Sequence, residues 1–186
     1  MPLNDHLAHP PKRGMIVRSK LVLSIGQQVF KLGHRFDKKA RQDDEQVISK
    51  PWWFTEGTVE LICQTAERSG DTLADAFRRF GGVAKRWGGS ADLIVKAEIA
   101  EPLVAYIGPG TIQDFRDQPG ESLDNTWDMP LWVPSASIPQ IYIPLAIGSK
   151  PGSSIARNAL RNIYVVPIEK WDDAFLRSNP KSKWKL

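Results

Sequence analysis

The sequence predicts an α+β fold: two or three helices in the first half, packed on a mostly antiparallel sheet of short strands from the second half. Three observations carry this reading. Between residues 55 and 80 apolar residues recur at the three- and four-residue spacing of helices. After Gly88-Gly89-Ser90 the chain turns to short runs rich in β-branched and aromatic residues, divided by proline and glycine. Helical and extended segments do not alternate as parallel βαβ units require.

Length and composition set the frame. The chain has 186 residues, 41% hydrophobic and 25% charged, within the range of one globular domain. The expected layout is a flexible tail or linker over 1–14, a single globular domain over 15–178, and a basic C-terminal tail over 179–186.

The elements follow in chain order. From Gly14 to Asp37 two readings compete. One is a β-hairpin turning near Gly26-Gln27; the other is a helix with Leu21, Ile25, Val29 and Leu32 on one side. The β-branched residues and glycines favour strands. Residues 37–50 mix charges of both signs with few apolar residues and read as an exposed loop. Thr55 then caps a helix bearing Glu56 in its first turn and Val59, Ile62, Cys63 and Ala66 on one face, ended by Gly70. Asp71 or Thr72 caps a second helix with Leu73, Phe77 and Phe80 on one face and Arg78 and Arg79 pointing elsewhere.

"DLIVKAEIA" and "PLVAYIG", parted by Glu101-Pro102, read as two neighbouring strands. The polar segment from Gly108 to Asp128 is a candidate lid, since loops of that length in compact domains are commonly functional. "LWV", "PQIYIPLAIG" and "IYVVPI" are further strands. Ser153 or Ser154 caps a short basic helix between the last two, and "EKWDDAFLRS" makes a final helical turn or two.

Several chemistries lack their residues. Cys63 is the only cysteine, so no intramolecular disulfide forms and a thiolate zinc site lacks ligands. His6, His9 and His34 are the only histidines and all lie early, so no metal site is assigned and a histidine-based nucleophilic mechanism would depend on His34. No run approaches the roughly 20 apolar residues of a membrane span. The first residues lack the order of a secretory signal, so the expected location is cytoplasmic, or outside the cell by a route without a cleavable signal peptide. A net charge of +4 allows a phosphate-bearing partner without specifying one.

The positive evidence lies in scattered residues. Gln140 and Tyr142 alternate with Ile141 and Ile143, so on a strand both face one way, into a cleft. "FRRFGGVAKRWGG" interleaves Arg78, Arg79 and Arg86 with Phe80 and Trp87, a pattern suited to stacking plus charge. The plainer reading of that stretch is an amphipathic helix with a solvated basic face. Trp52-Trp53-Phe54 precede the first helix, and adjacent residues of an extended segment point to opposite sides, which leaves Trp52 as the one facing a cleft. Gln113 lies in the turn "AYIGPGTIQ". Together these resemble the site of small enzymes that bind a dinucleotide such as NAD without a Rossmann fold, using a glutamine or glutamate on a central strand to orient the ribose.

The resemblance implies Gln140 and Tyr142 in catalysis and Trp52, Arg78, Arg79, Arg86 and Gln113 in cofactor binding, with NAD as a substrate. The activity implied is that of an NAD glycohydrolase or ADP-ribosyl transferase, in an enzyme or toxin-like effector. The alternative is a non-catalytic module that recognises nucleic acid or a protein partner through basic helices and exposed aromatics.

Overall fold

The computed structural model describes residues 1–12, 14–37, 40–81, 91–110, 113–114, 131–132, 138–145 and 154–170; for 36, 37, 40, 113, 114, 131 and 132 it describes the backbone alone. Its centre is a curled, wholly antiparallel sheet of seven strands. In chain order these are β1 (Ser19–Leu23), β2 (Gln28–Gly33), β5 (Trp52–Thr55), β6 (Leu93–Ile99), β7 (Leu103–Gly108), β10 (Gln140–Tyr142) and β11 (Leu160–Pro167). In space the order is β1-β7-β10-β5-β2-β6-β11. Two small pairs stand apart: β3 (Phe36–Asp37) with β4 (Ala40–Arg41), and β8 (Gln113–Asp114) with β9 (Leu131–Trp132).

The fold is therefore α+β, but the helices are interleaved with the strands instead of preceding them. Three strands of the main sheet come before the long helix α2 (Glu56–Ser69), and the short helix α4 (Ala156–Ala159) lies between β10 and β11. The expected hairpin at Gly26-Gln27 is also replaced. Ser24 to Gln27 do form a tight turn, with Gly26 at φ 85° and the Gln27 N–H on the Ser24 carbonyl at 3.1 Å. The strands it joins part company, however: β1 pairs with β7, and β2 with β5 and β6. Likewise β6 and β7 are not neighbours, because β7 lies between β1 and β10.

Side chains alternate across the sheet, and each face has its own apolar cluster. One face carries Leu23, Val29, Trp53, Val95, Ala97, Leu103, Ala105 and Ile141, against which Val47 and Ile48 of helix α1 (Asp44–Ser49) and Ala156 and Ala159 of α4 are buried. Helix α1 occupies part of the segment read as a loop. Its start is a capping box: Asp43 accepts from the Gln46 N–H, and the Gln46 side chain accepts from the Asp43 N–H.

On the opposite face Phe30, Leu32, Phe54 and Ile94 meet Val59, Ile62 and Ala66 of α2 and Ala76, Phe77 and Phe80 of α3 (Leu73–Gly81). Thr55 caps α2 by accepting from the Thr58 N–H at 3.2 Å, and Gly70 ends it in the left-handed conformation at φ 71°. Thr72 caps α3 through the Asp75 N–H at 3.1 Å. No helix among the described residues is long and apolar enough to cross a membrane.

Residues 1–12, within the stretch 1–14 read in the sequence as a tail, run beside β7. Asn4 is 0% exposed: its Oδ1 accepts from the Val104 N–H, and its Nδ2 donates to the carbonyls of Val104 and Pro144. The segment then continues β1 backwards along β7, with Ile16 N–H on Pro109 O and Arg18 N–H on Ile107 O, both at 2.9 Å. Gly108 permits this approach, because a Cβ there would lie 1.9 Å from the Ile16 carbonyl oxygen.

Candidate functional site

Trp52 and Trp53 sit side by side on β5, and the strand alternation sends them to opposite faces. Trp53 is fully buried in the cluster over which α1 lies. Trp52 is half-buried on the other face, the one that carries α2 and α3. There it meets Tyr142 of β10 edge-to-face with ring centroids 5.1 Å apart, as the register Tyr142 opposite Trp52 requires. Tyr142 in turn lies 6.4 Å from Tyr106 of β7, whose hydroxyl donates to the Ala8 carbonyl at 2.7 Å. Met15 and Val104 are buried in the same cluster. Gly14, at φ 94°, lies against the Trp52 ring so closely that a Cβ would come within 2.8 Å of it.

Gln140 shares this face with Tyr142, two residues along the strand. It is 2% exposed, and its Nε2 donates to the Phe80 carbonyl at 3.0 Å. The amide therefore ties the last turn of α3 to β10. The same helix end carries Arg78 and Arg79. Arg78 is buried, and burial lowers its pKa against the pull of Asp75 and Asp92. Arg79 forms an ion pair with Asp71 and lies 5.6 Å from the Phe80 ring.

Of the seven site residues the sequence singles out, five can thus be placed. Trp52 and Tyr142 touch, Gln140 lies beside Tyr142 on β10, and Arg78 and Arg79 are joined to Gln140 through Phe80. Arg86 lies outside the described residues, as do most of the 108–128 segment and the chain beyond Lys170, and Gln113 is placed by its backbone in β8. The Tyr142 hydroxyl has its pKa raised by burial and by the neighbouring Tyr106, so at neutral pH it is a protonated hydrogen-bonding group and not a base. Among the described residues no group of three or more histidine, cysteine, aspartate and glutamate side chains is placed to hold a metal ion.

Sequence reasoning missed several polar side chains in the interior: Asn4, Lys31, Gln42, Thr58 and Lys96. Lys31, 3% exposed on β2, donates from Nζ to the Lys50 carbonyl at 2.7 Å and stands 4.8 Å over the Trp53 ring. Burial, helped by the charge of Lys50, holds its pKa well below the usual lysine range. The signal was present in "QVFKLG", where Lys31 falls on the same side of a strand as Val29.

No protein-family model, curated protein or solved structure matches the chain.

Proposed function

We propose that the protein binds a nucleotide, with NAD the first candidate, on the face of β5 and β10 that carries Trp52 and Tyr142. The observation that supports this is the edge-to-face Trp52–Tyr142 pair: two partly exposed rings on the middle strands of a sheet, beside a helix end that bears Arg78 and Arg79. A nucleobase stacks on such a ring with about 1–3 kcal/mol. Gln140 acts in this reading as a positioning residue, because its amide holds α3 against β10. Arg79 meets phosphate by exchanging its Asp71 partner for the ligand, and Arg86 and Gln113 contribute from the segments that follow α3 and β7. NAD glycohydrolysis or ADP-ribosyl transfer is the catalytic form of the proposal.

The test is a titration with NAD followed by thermal shift and tryptophan fluorescence. Wild type is expected to be stabilised, and Trp52→Ala to bind about tenfold or more weakly. Release of nicotinamide, followed by chromatography, distinguishes turnover from binding. The proposal fails if neither NAD nor any other nucleotide shifts the melting temperature. Binding of single-stranded nucleic acid that weakens steeply with salt would instead favour the non-catalytic module.

A further inference from the structure

The two edges of the main sheet are finished differently. At one end β11 is interrupted by a register shift between Arg161 and Tyr164, with Asn162 at φ 47°. Arg161 and Asn162 are both bound to Glu98 of β6, and Pro167 ends the strand. Bulges and proline are the devices that keep a sheet edge from accepting another strand. At the other end, β1 pairs on one side with β7, and among the described residues no strand covers its other side.

This edge is long and well exposed. Because Ile16 and Arg18 continue the bonding to β7, it runs from Ile16 to Leu23, about 25 Å at 3.3 Å per residue. Ile16 is 60% exposed, Val17 38%, Val22 54% and, in the turn that follows, Ile25 54%. These are four of the six large hydrophobic residues exposed among the described residues. Arg18, Ser19 and Lys20 between them are also exposed, and neither cation has an ion-pair partner among the described residues.

We propose that the β1 edge is a docking site for an extended segment of another protein that adds as an eighth strand, acidic at its centre and apolar at its ends. Main-chain hydrogen bonds supply the affinity in this mode of recognition, and alternate side chains supply the selectivity. The charge pattern selects the partner. A second copy of this chain pairing antiparallel through Ser19 or Lys20 sets Lys20 opposite Arg18 or opposite itself, and like charges directly opposite destabilise a pair of strands. Glutamate or aspartate at alternate positions turns both contacts favourable, while valine or isoleucine beyond them covers Ile16 and Val22. The lysine that discourages indiscriminate edge pairing thus becomes the element that selects an acidic strand.

The test uses the full chain and a fluorescein-labelled synthetic peptide, Thr-Val-Thr-Glu-Thr-Glu-Thr-Val-Thr, with its glutamates changed to lysine as the counter-probe. Fluorescence anisotropy is expected to report binding of the acidic peptide and not of the basic one, weakening as salt rises from about 0.05 to 0.3 M. The double variant Arg18→Glu/Lys20→Glu is expected to lose at least about tenfold for the acidic peptide and to gain the basic one. Capture of the basic peptide also shows that the variant is folded. Absence of binding, equal binding of both peptides, or indifference to the charge reversal overturns the proposal. So does a homodimer in sedimentation that Val22→Lys dissolves, which would give the edge to a second copy.

Discussion

Burial of the Lys31 amine is costly, and its neighbours offset the cost only in part. A hydrogen bond to the Lys50 carbonyl and the face of Trp53 favour the ammonium, but burial outweighs them and lowers the pKa. Lys96, also buried, is lowered by burial to about 8 despite Glu56 and Glu98. For both lysines the folded-state pKa lies below that of the unfolded chain, about 10.4, so between the two values the unfolded chain binds more protons. The stability cost of Lys96 therefore falls as pH rises from about 8 to about 10.4, that of Lys31 falls as pH rises towards about 10.4, and both costs are present on the acid side. Lys31→Met is expected to raise the melting temperature at pH 7 by several degrees and by much less at pH 10, as scanning calorimetry at the two pH values would show. An equal shift at both would mean that the charge is not what limits stability. Lysine is nearly always exposed, so residue type argued for solvent while the strand alternation around it argued for the core.

Elements were legible where local chemistry decides them. Helix α2 lies between Thr55 and Gly70 because a hydroxyl cap and a left-handed glycine act within a few residues of the chain. Helix α1 was obscured because its charges dominate its composition; the Asp43–Gln46 box and the buried pair Val47–Ile48 identify it only once the segment's two sides are considered separately. Strand partners were not legible. Nothing local to Leu23 or Gln28 records that the two strands joined by their turn bond to β7 on one side and to β5 and β6 on the other. Gly108 is where this non-local arrangement can be broken. A Cβ there cannot coexist with the Ile16 carbonyl, so Gly108→Ala is expected to cost about 1–3 kcal/mol, by the general cost of overpacking. Hydrogen exchange at the Ile16 and Arg18 amides should accelerate before exchange in β6, and unchanged protection there would show that the edge segment does not depend on Gly108.

At the scale of the whole molecule, the candidate site depends on contacts between distant parts of the chain. Trp52 and Tyr142 are 90 residues apart in sequence and meet because β10 inserts between β5 and β7. The N-terminal segment fixes the far side of that insertion. Asn4 uses both ends of its amide, taking the Val104 N–H at 2.7 Å and giving to the carbonyls of Val104 at 2.9 Å and Pro144 at 3.1 Å, so one side chain ties β7 to the residues leaving β10. Replacing it with alanine strands three buried backbone groups, each costing about 1–3 kcal/mol if water cannot reach it. Asn4→Ala is therefore expected to lose at least about 2 kcal/mol in urea unfolding. Asn4→Asp should do no better, because its carboxylate keeps the Val104 N–H but opposes both carbonyls. Removal of residues 1–12 should destabilise by at least as much as Asn4→Ala, since it also takes away the Ala8 carbonyl that receives the Tyr106 hydroxyl. If Asn4→Ala lies within about 0.5 kcal/mol of wild type, a range typical of inconsequential surface changes, the segment lies on the sheet without holding it together.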